Sequence, residues 1–258
     1  MYTRTELMIG NEGLAKLKKS HVMIVGLGGV GAYAAEMLCR AGVGRLTLVD
    51  GDVVNITNRN RQLIALASTE GKLKAKALAD RLRDISHEVE IISIDEYIKN
   101  ERMLEILNAD KYDYIVDAID TLSPKVDLIV NSVRLNIPIV SSMGSGGKLD
   151  PLQIKITDIS QSYNCPLAFA VRKKIHREGI YTGFSVVYSP EEVSPSVVRE
   201  EKGENKRSTV GTISYMPPMF GCMCASVVLR RLIGIEVYPP VKDKRHYAGK
   251  KEKQTEIK

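Results

Sequence analysis

HVMIVGLGGVG, residues 21–31, decides how this chain folds. An apolar run ends at Gly26, and the glycines Gly26, Gly28, Gly29 and Gly31 lead into AYAAEMLCRA, which has the composition of a helix. Glycines at this spacing permit a tight turn, a close approach of backbone to phosphate, and close packing of helix on strand. The helix start that follows favours negative charge, through unpaired N–H groups and the macrodipole. Asp50 closes the next apolar run, RLTLVD, nineteen residues after Gly31, where a carboxylate can take ribose hydroxyls. Glycines at a turn are often plain punctuation. The strand before them, the helix after them and the placed aspartate favour a nucleotide site.

Which nucleotide follows from TNRNRQL, residues 57–63. A nicotinamide site needs no further phosphate clamp after its acidic residue. Here Asn58, Arg61 and Gln62 come within twelve residues of Asp50, and Lys74 follows in a helical segment. Arginine offers a planar fork to phosphate oxygens and lysine a compact charge. Any one of these residues could belong to a surface ion pair, but the cluster beside a phosphate-binding turn points to ATP. DAID, residues 117–120, then puts two carboxylates at the end of a strand, on the edge where open α/β sheets bind ligands. Asp120 is the candidate to hold Mg²⁺ between phosphates, a hard cation on an oxygen ligand. Asp117 reads as structural.

The rest of the chain alternates in the same way. HVMIVG, RLTLVD, VEIISI (89–94), YDYIVDA (112–118) and IPIVSS (137–142) read as strands. Segments near 30–42, 71–84, 100–109 and 122–135 read as helices, which makes an α/β fold with a Rossmann-like, mostly parallel sheet and helices on both faces. After the glycine-rich turn MGSGGKLDP, LQIKITDI (152–159) and FSVVYS (184–189) add strands, with a helix in PLAFAVRKKIHREG between them. EEVSPSVVREEKGENKRS (191–208) has turn and charge signals without periodicity, so a mobile loop is expected. The organisation is then an ATP-binding adenylation core over 1–145, a C-terminal α/β extension of the same domain over 146–238, and a basic tail over 239–258.

Composition narrows the setting. The 258 residues are 44% hydrophobic and 26% charged, ordinary for a globular protein. Cysteines at 39, 165, 222 and 224 form no C-x-x-C pair, and the N-terminus lacks an apolar signal core, so a reducing cytoplasm is expected. Val210–Leu229 is uncharged for twenty residues, but Pro217, Pro218 and Gly221 fall within it. It reads as a short strand, GTISY, followed by a buried helix and not as a membrane span. Residues 242–258 carry +4 of the net +6, which is read as a solvated, disordered tail or as a contact to a polyanion.

VGLGGVGAYAAEMLCRAGVGRLTLVDGDVVNITNRNRQL, continued by GKLKAKALA and VDAIDTLSPK, resembles the adenylation domain shared by ubiquitin-activating enzymes and the bacterial adenylyltransferases of thiamine and molybdopterin synthesis. The resemblance is dense over about residues 1–145. It implies that ATP adenylates a carboxylate and releases pyrophosphate. Gly26, Gly28, Gly29 and Gly31 would line the phosphates and Asp50 the ribose. Asn58, Arg61 and Lys74 would contact phosphates, Gln62 would support them, and Asp120 would serve the metal. Arg4 resembles an arginine that the family supplies from a partner subunit, which implies a homodimer. Arg59 stands where a leucine is usual and Lys125 where an arginine is usual.

The second half separates the branches. Members that activate ubiquitin-like tails commonly carry two C-x-x-C zinc pairs, and this chain has only Cys222-Met-Cys224 with distant Cys39 and Cys165. VVYSPEEV, the charged loop and GTISYMPPMFG look like the branch that dehydrates threonylcarbamoyladenosine in transfer RNA to its cyclic form. The alternative is an adenylyltransferase acting on the C-terminal glycine of a ubiquitin-like sulphur carrier. Transfer RNA is the expected partner, and a sulphur-relay protein is a candidate second one. No catalytic cysteine is expected, because closing the ring is intramolecular.

Overall fold

The computed structural model describes residues 1–200 and 208–238. Seven strands form one sheet: β1 (His21–Val25), β2 (Arg45–Val49), β3 (Glu90–Ile94), β4 (Tyr114–Asp117), β5 (Ile139–Ser142), β6 (Lys155–Asp158) and β7 (Ser185–Tyr188). Their order across the sheet is β3-β2-β1-β4-β5-β7-β6. All neighbours run parallel except β6, which pairs antiparallel with β7 at the edge. The strand order therefore reverses between β1 and β4, which opens a crevice at the C-terminal ends of those two strands.

Helices α1 (Thr3–Lys19), α2 (Gly31–Ala41), α3 (Lys74–Ile85) and α7 (Met216–Leu232) cover one face, with α4 (Asn100–Ala109), α5 (Leu122–Arg134) and α6 (Pro166–Ile175) on the other. The alternation of side chains along β1 serves both layers. Val22 and Ile24 join the first apolar cluster, while Met23 and Val25 join the second. All five β1 residues are buried, as a parallel strand covered on both faces requires. Each such aliphatic side chain contributes on the order of 1.5–3 kcal/mol when fully buried.

Local chemistry sets the helix ends. α2 stops at Gly42, whose φ of 103° provides the left-handed cap. α7 opens with Pro217 and Pro218 in its first turn, where a missing N–H costs nothing. The uncharged run seen in the sequence is spent here: Phe220, Gly221, Cys224, Ala225, Val227 and Val228 are buried. A Cβ at Gly221 would lie 2.4 Å from the Val30 carbonyl oxygen, so only glycine lets α7 cross the start of α2 this closely. Among the described residues, no helix is long and apolar enough to cross a membrane.

Two expectations need correction. The segment 191–208, expected to be a loop, contains a 3-10 turn at Pro195–Val197 and enters an antiparallel hairpin, β8 (Val198–Glu200) with β9 (Ser208–Val210). Cross-strand pairing, Val198 opposite Val210, supplied the order that the charge-rich composition concealed. GTISY is not a strand, since β9 ends at Val210 and residues 211–214 form the lead into α7. There Gly211 N–H donates to Val197 O and its carbonyl accepts from Gly147 N–H. The N-terminal helix begins at Thr3 and breaks at Gly10, where φ is 73°. The basic tail, residues 239–258, lies outside the described residues.

Candidate nucleotide site

The four glycines of the first turn have different physical reasons. Gly26 has φ 86°, and a Cβ there would lie 2.7 Å from the Ala118 carbonyl oxygen. At Gly31 it would lie 1.8 Å from the Gly26 carbonyl oxygen, and at Gly29 it would meet the ring of Pro217 at 2.8 Å. These three positions are required by packing. Gly28 is different: a Cβ would meet only the Gln62 side chain, at 3.6 Å. Its bare face leaves the room above the turn that a phosphate needs.

Asp50 closes this turn from the neighbouring strand. Its carboxylate accepts the Leu27 N–H at 2.6 Å and the Asp52 N–H at 2.8 Å. Burial pushes its pKa above the usual carboxylate range, while Lys74 and the two N–H donors pull the other way. The polar loop of residues 57–63 lies against the same turn. Gln62 is buried next to Gly28, and its Oε1 has no hydrogen-bond partner within the protein. An orphaned buried oxygen is costly, and a donor on a bound ligand or ordered water would satisfy it. Phosphate oxygens are acceptors, so the part of Gln62 suited to them is its amide nitrogen, the atom nearest Gly28.

Asn58 and Arg61 are ordered by their own loop. Asn58 Oδ1 accepts the Asn55 N–H at 3.1 Å in a reciprocal cap, so a phosphate contact must come from its amide nitrogen. Arg61 Nη1 donates to Thr57 O at 3.1 Å and to Asn60 Oδ1 at 2.9 Å. Asn60 also donates to Thr212 O at 3.0 Å, tying this loop to the lead into α7. Arg59 forms an ion pair with Glu70, so its charge is met within the loop.

Lys74, at the start of α3, is buried and bonds Asp52 Oδ2 at 2.6 Å. The Tyr97 hydroxyl bonds the other oxygen of Asp52. That hydrogen bond to Asp52, burial, and the charges of Asp52, Asp50 and Asp120 push the Tyr97 pKa up to about 12. Asp52 and Tyr97 were missed from the sequence. Asp52 lies two residues past the expected ribose ligand, and that adjacency was the available signal. Tyr97 lies in an irregular segment after β3 and gave none.

Asp120 is exposed, three residues beyond the end of β4. Asp117 is completely buried and paired with Lys125. The structure does not bring Arg4 to this site within its own chain. Arg4 follows Tyr2, which bonds Ser86 at the C-terminal end of α3 and lies against Gly42 at the C-terminal end of α2. The nucleotide turn is at the other end of α2, about 16 Å away along eleven residues. Cys39, Cys165 and Cys224 are buried. Among the described residues, no three His, Cys, Asp or Glu side chains are grouped as a metal site.

Known proteins resemble the chain over most of its length. It is 42% identical to the tRNA threonylcarbamoyladenosine dehydratase of Bacillus subtilis (strain 168), over 88% of this chain and 89% of that protein. It is 38% identical to the protein of the same name from Escherichia coli (strain K12), over 66% of this chain and 63% of that one. The crystal structure of the E. coli tRNA N6-threonylcarbamoyladenosine dehydratase in complex with ATP superposes with a TM-score of 0.82 at 32% identity, covering 90% of this chain and 93% of that one. The family match itself spans residues 2–257: the chain belongs to the ThiF family.

Proposed function

We propose that this protein is an ATP-dependent tRNA threonylcarbamoyladenosine dehydratase. The observation that carries the reading is the 42% identity to such a dehydratase across nearly the full length of both chains, second half included. That likeness favours the RNA substrate over the C-terminal glycine of a sulphur carrier. An ATP-bound relative of the same fold supports ATP as the second substrate.

ATP lies with its phosphates over Gly28 and its ribose near Asp50, whose remaining lone pairs face the hydroxyls. The threonyl carboxylate attacks the α-phosphorus, giving an acyl-adenylate and pyrophosphate. Arg61 and Lys74 stabilise the charge that builds on the phosphates, a contribution that grows in a site from which water is excluded. Lys74 must exchange its bond to Asp52 for one to phosphate, and Tyr97 then keeps Asp52 in place. An atom of the neighbouring urea attacks the activated carbonyl, the ring closes and AMP leaves. Both reacting groups belong to one nucleoside, so proximity does the work of a protein nucleophile.

The exposed carboxylate of Asp120 suits Mg²⁺, which binds to proteins through one or two carboxylates and takes its other ligands from phosphate and water. When bound, the ion neutralises charge on the phosphates. Arg4, remote from its own site, is assigned to the site of a second copy in a homodimer. A cytoplasmic setting completes the reading.

The test is to incubate the protein with ATP, Mg²⁺ and modified transfer RNA, then digest and weigh the nucleosides. Threonylcarbamoyladenosine should lose the mass of one water, and an unchanged mass would reject the function. In the same assay, Arg4→Ala and Asp120→Ala proteins should each be poorly active and recover when their chains are exchanged. No recovery after demonstrated exchange would remove Arg4 from the shared site.

A further inference from the structure

Beneath the Asp120 loop lies a charge pair sealed from solvent. Asp117, the last residue of β4, and Lys125, in the first turn of α5, are both 0% exposed, with Nζ 2.6 Å from Oδ2. Lys125 also donates to Ser141 Oγ at 3.2 Å and to the Ser142 carbonyl oxygen at 2.9 Å, both on β5. The Ser141 hydroxyl donates to the same oxygen of Asp117. The other oxygen, Oδ1, accepts the Ile119 N–H at 3.0 Å.

Stability alone does not call for this arrangement. Apolar side chains of similar volume often hold a core as well as a buried ion pair, or better. They cannot supply an acceptor for the Ile119 N–H. That bond turns the chain immediately before Asp120, and Ala118 N–H is fixed alongside it on Val25 O at 2.8 Å. The helix resumes at Leu122, and Lys125 ties its first turn back to Asp117. The loop carrying Asp120 is therefore anchored at both ends through a single buried carboxylate. Ala118 O also abuts Gly26, so the same loop borders the phosphate turn.

We infer that Asp117 and Lys125 are positioning residues, a buried clasp that sets Asp120 at the phosphate end of the site. This rests on the reading of Asp120 as the Mg²⁺ residue. Groups that orient a metal-binding carboxylate govern metal affinity without touching the ion.

The experiment measures binding of an ATP analogue with a methylene bridge between the α- and β-phosphorus, by calorimetry on the full chain. It is run across a Mg²⁺ series and without metal. Amide exchange over residues 118–121 is read in the protein alone. Lys125→Met should raise the half-saturating Mg²⁺ concentration by about 10–100-fold and leave metal-free binding unchanged. Asp120→Asn should show a comparable shift, and the double variant no more than Asp120→Asn. Lys125→Arg keeps the charge and so guards against failure to fold. It should shift in the same direction by less, and amides 118–121 should exchange faster in both Lys125 variants. Lower melting temperatures with wild-type Mg²⁺ response and exchange would reduce the pair to a structural one and overturn the inference. An Asp120→Asn shift without a Lys125 shift would overturn the clasp alone. A wild-type Mg²⁺ response in Asp120→Asn would overturn the metal reading, and the clasp with it.

Discussion

Two glycine-rich turns follow parallel strands of the same sheet, GLGGVG after β1 and GSGGK after β5, and they are built differently. In the first, Gly26 and Gly31 are crowded by backbone carbonyls, which cannot move aside. In the second, Gly146 and Gly147 are crowded by side chains of Val210, Thr212 and Val193, and Gly144 has nothing within 4 Å. The first turn is locked to the sheet itself. The second is shaped by the side chains of Val193, Val210 and Thr212, which come from outside the sheet's parallel part. A glycine pattern is therefore most informative where backbone meets backbone, because no neighbouring substitution can relieve the constraint.

The largest effect that can break this comparison is at Gly31. A methyl group 1.8 Å from the Gly26 carbonyl oxygen has no rotamer to escape into, so Gly31→Ala should cost more than about 3 kcal/mol and leave little folded protein. Gly144→Ala should stay within about 0.5 kcal/mol of wild type. Gly147→Ala should fall between them, because φ is +71° but the crowding atom is a valine methyl. Thermal unfolding of the three proteins decides the order. Equal losses at Gly31 and Gly144 would end the distinction between the turns.

Next in size are the charged groups that distinguish the first turn's surroundings. Alanine at Arg61 or Lys74 should lower adenylate formation by about 10²–10³-fold with the fold intact, as loss of one preorganised electrostatic contact does. Pyrophosphate release measured with circular dichroism on the same samples separates the two. Near-normal release from both variants would remove these residues from the site.

Much of the fold was legible because its strands are buried on both faces and so appear as uninterrupted apolar runs. Strands β1 to β5 and the helices between them fall close to where the pattern puts them. The hairpin escaped because its two strands are three residues each and gain order only from pairing across a charged segment. In the candidate site, the glycine turn was readable as a tight strand-to-helix turn, since Gly31 meets Gly26 within the same short stretch of sequence. The Lys74–Asp52–Tyr97 triplet was not. It joins α3, the loop after β2 and the loop after β3, and no local spacing encodes that meeting. Asp117 reads correctly as a buried partner of the framework, but its grip on Ile119 appears only in three dimensions.

The most direct measurement follows the oxygen. Threonylcarbamoyladenosine labelled with ¹⁸O in its carboxylate is turned over in transfer RNA with ATP, and the nucleotide and phosphate products are analysed by mass. Attack of the carboxylate on the α-phosphorus predicts one ¹⁸O atom in AMP, an unlabelled pyrophosphate and a cyclic product that keeps the other labelled oxygen. Unlabelled AMP, with the label in water or in pyrophosphate, would contradict adenylation at this site.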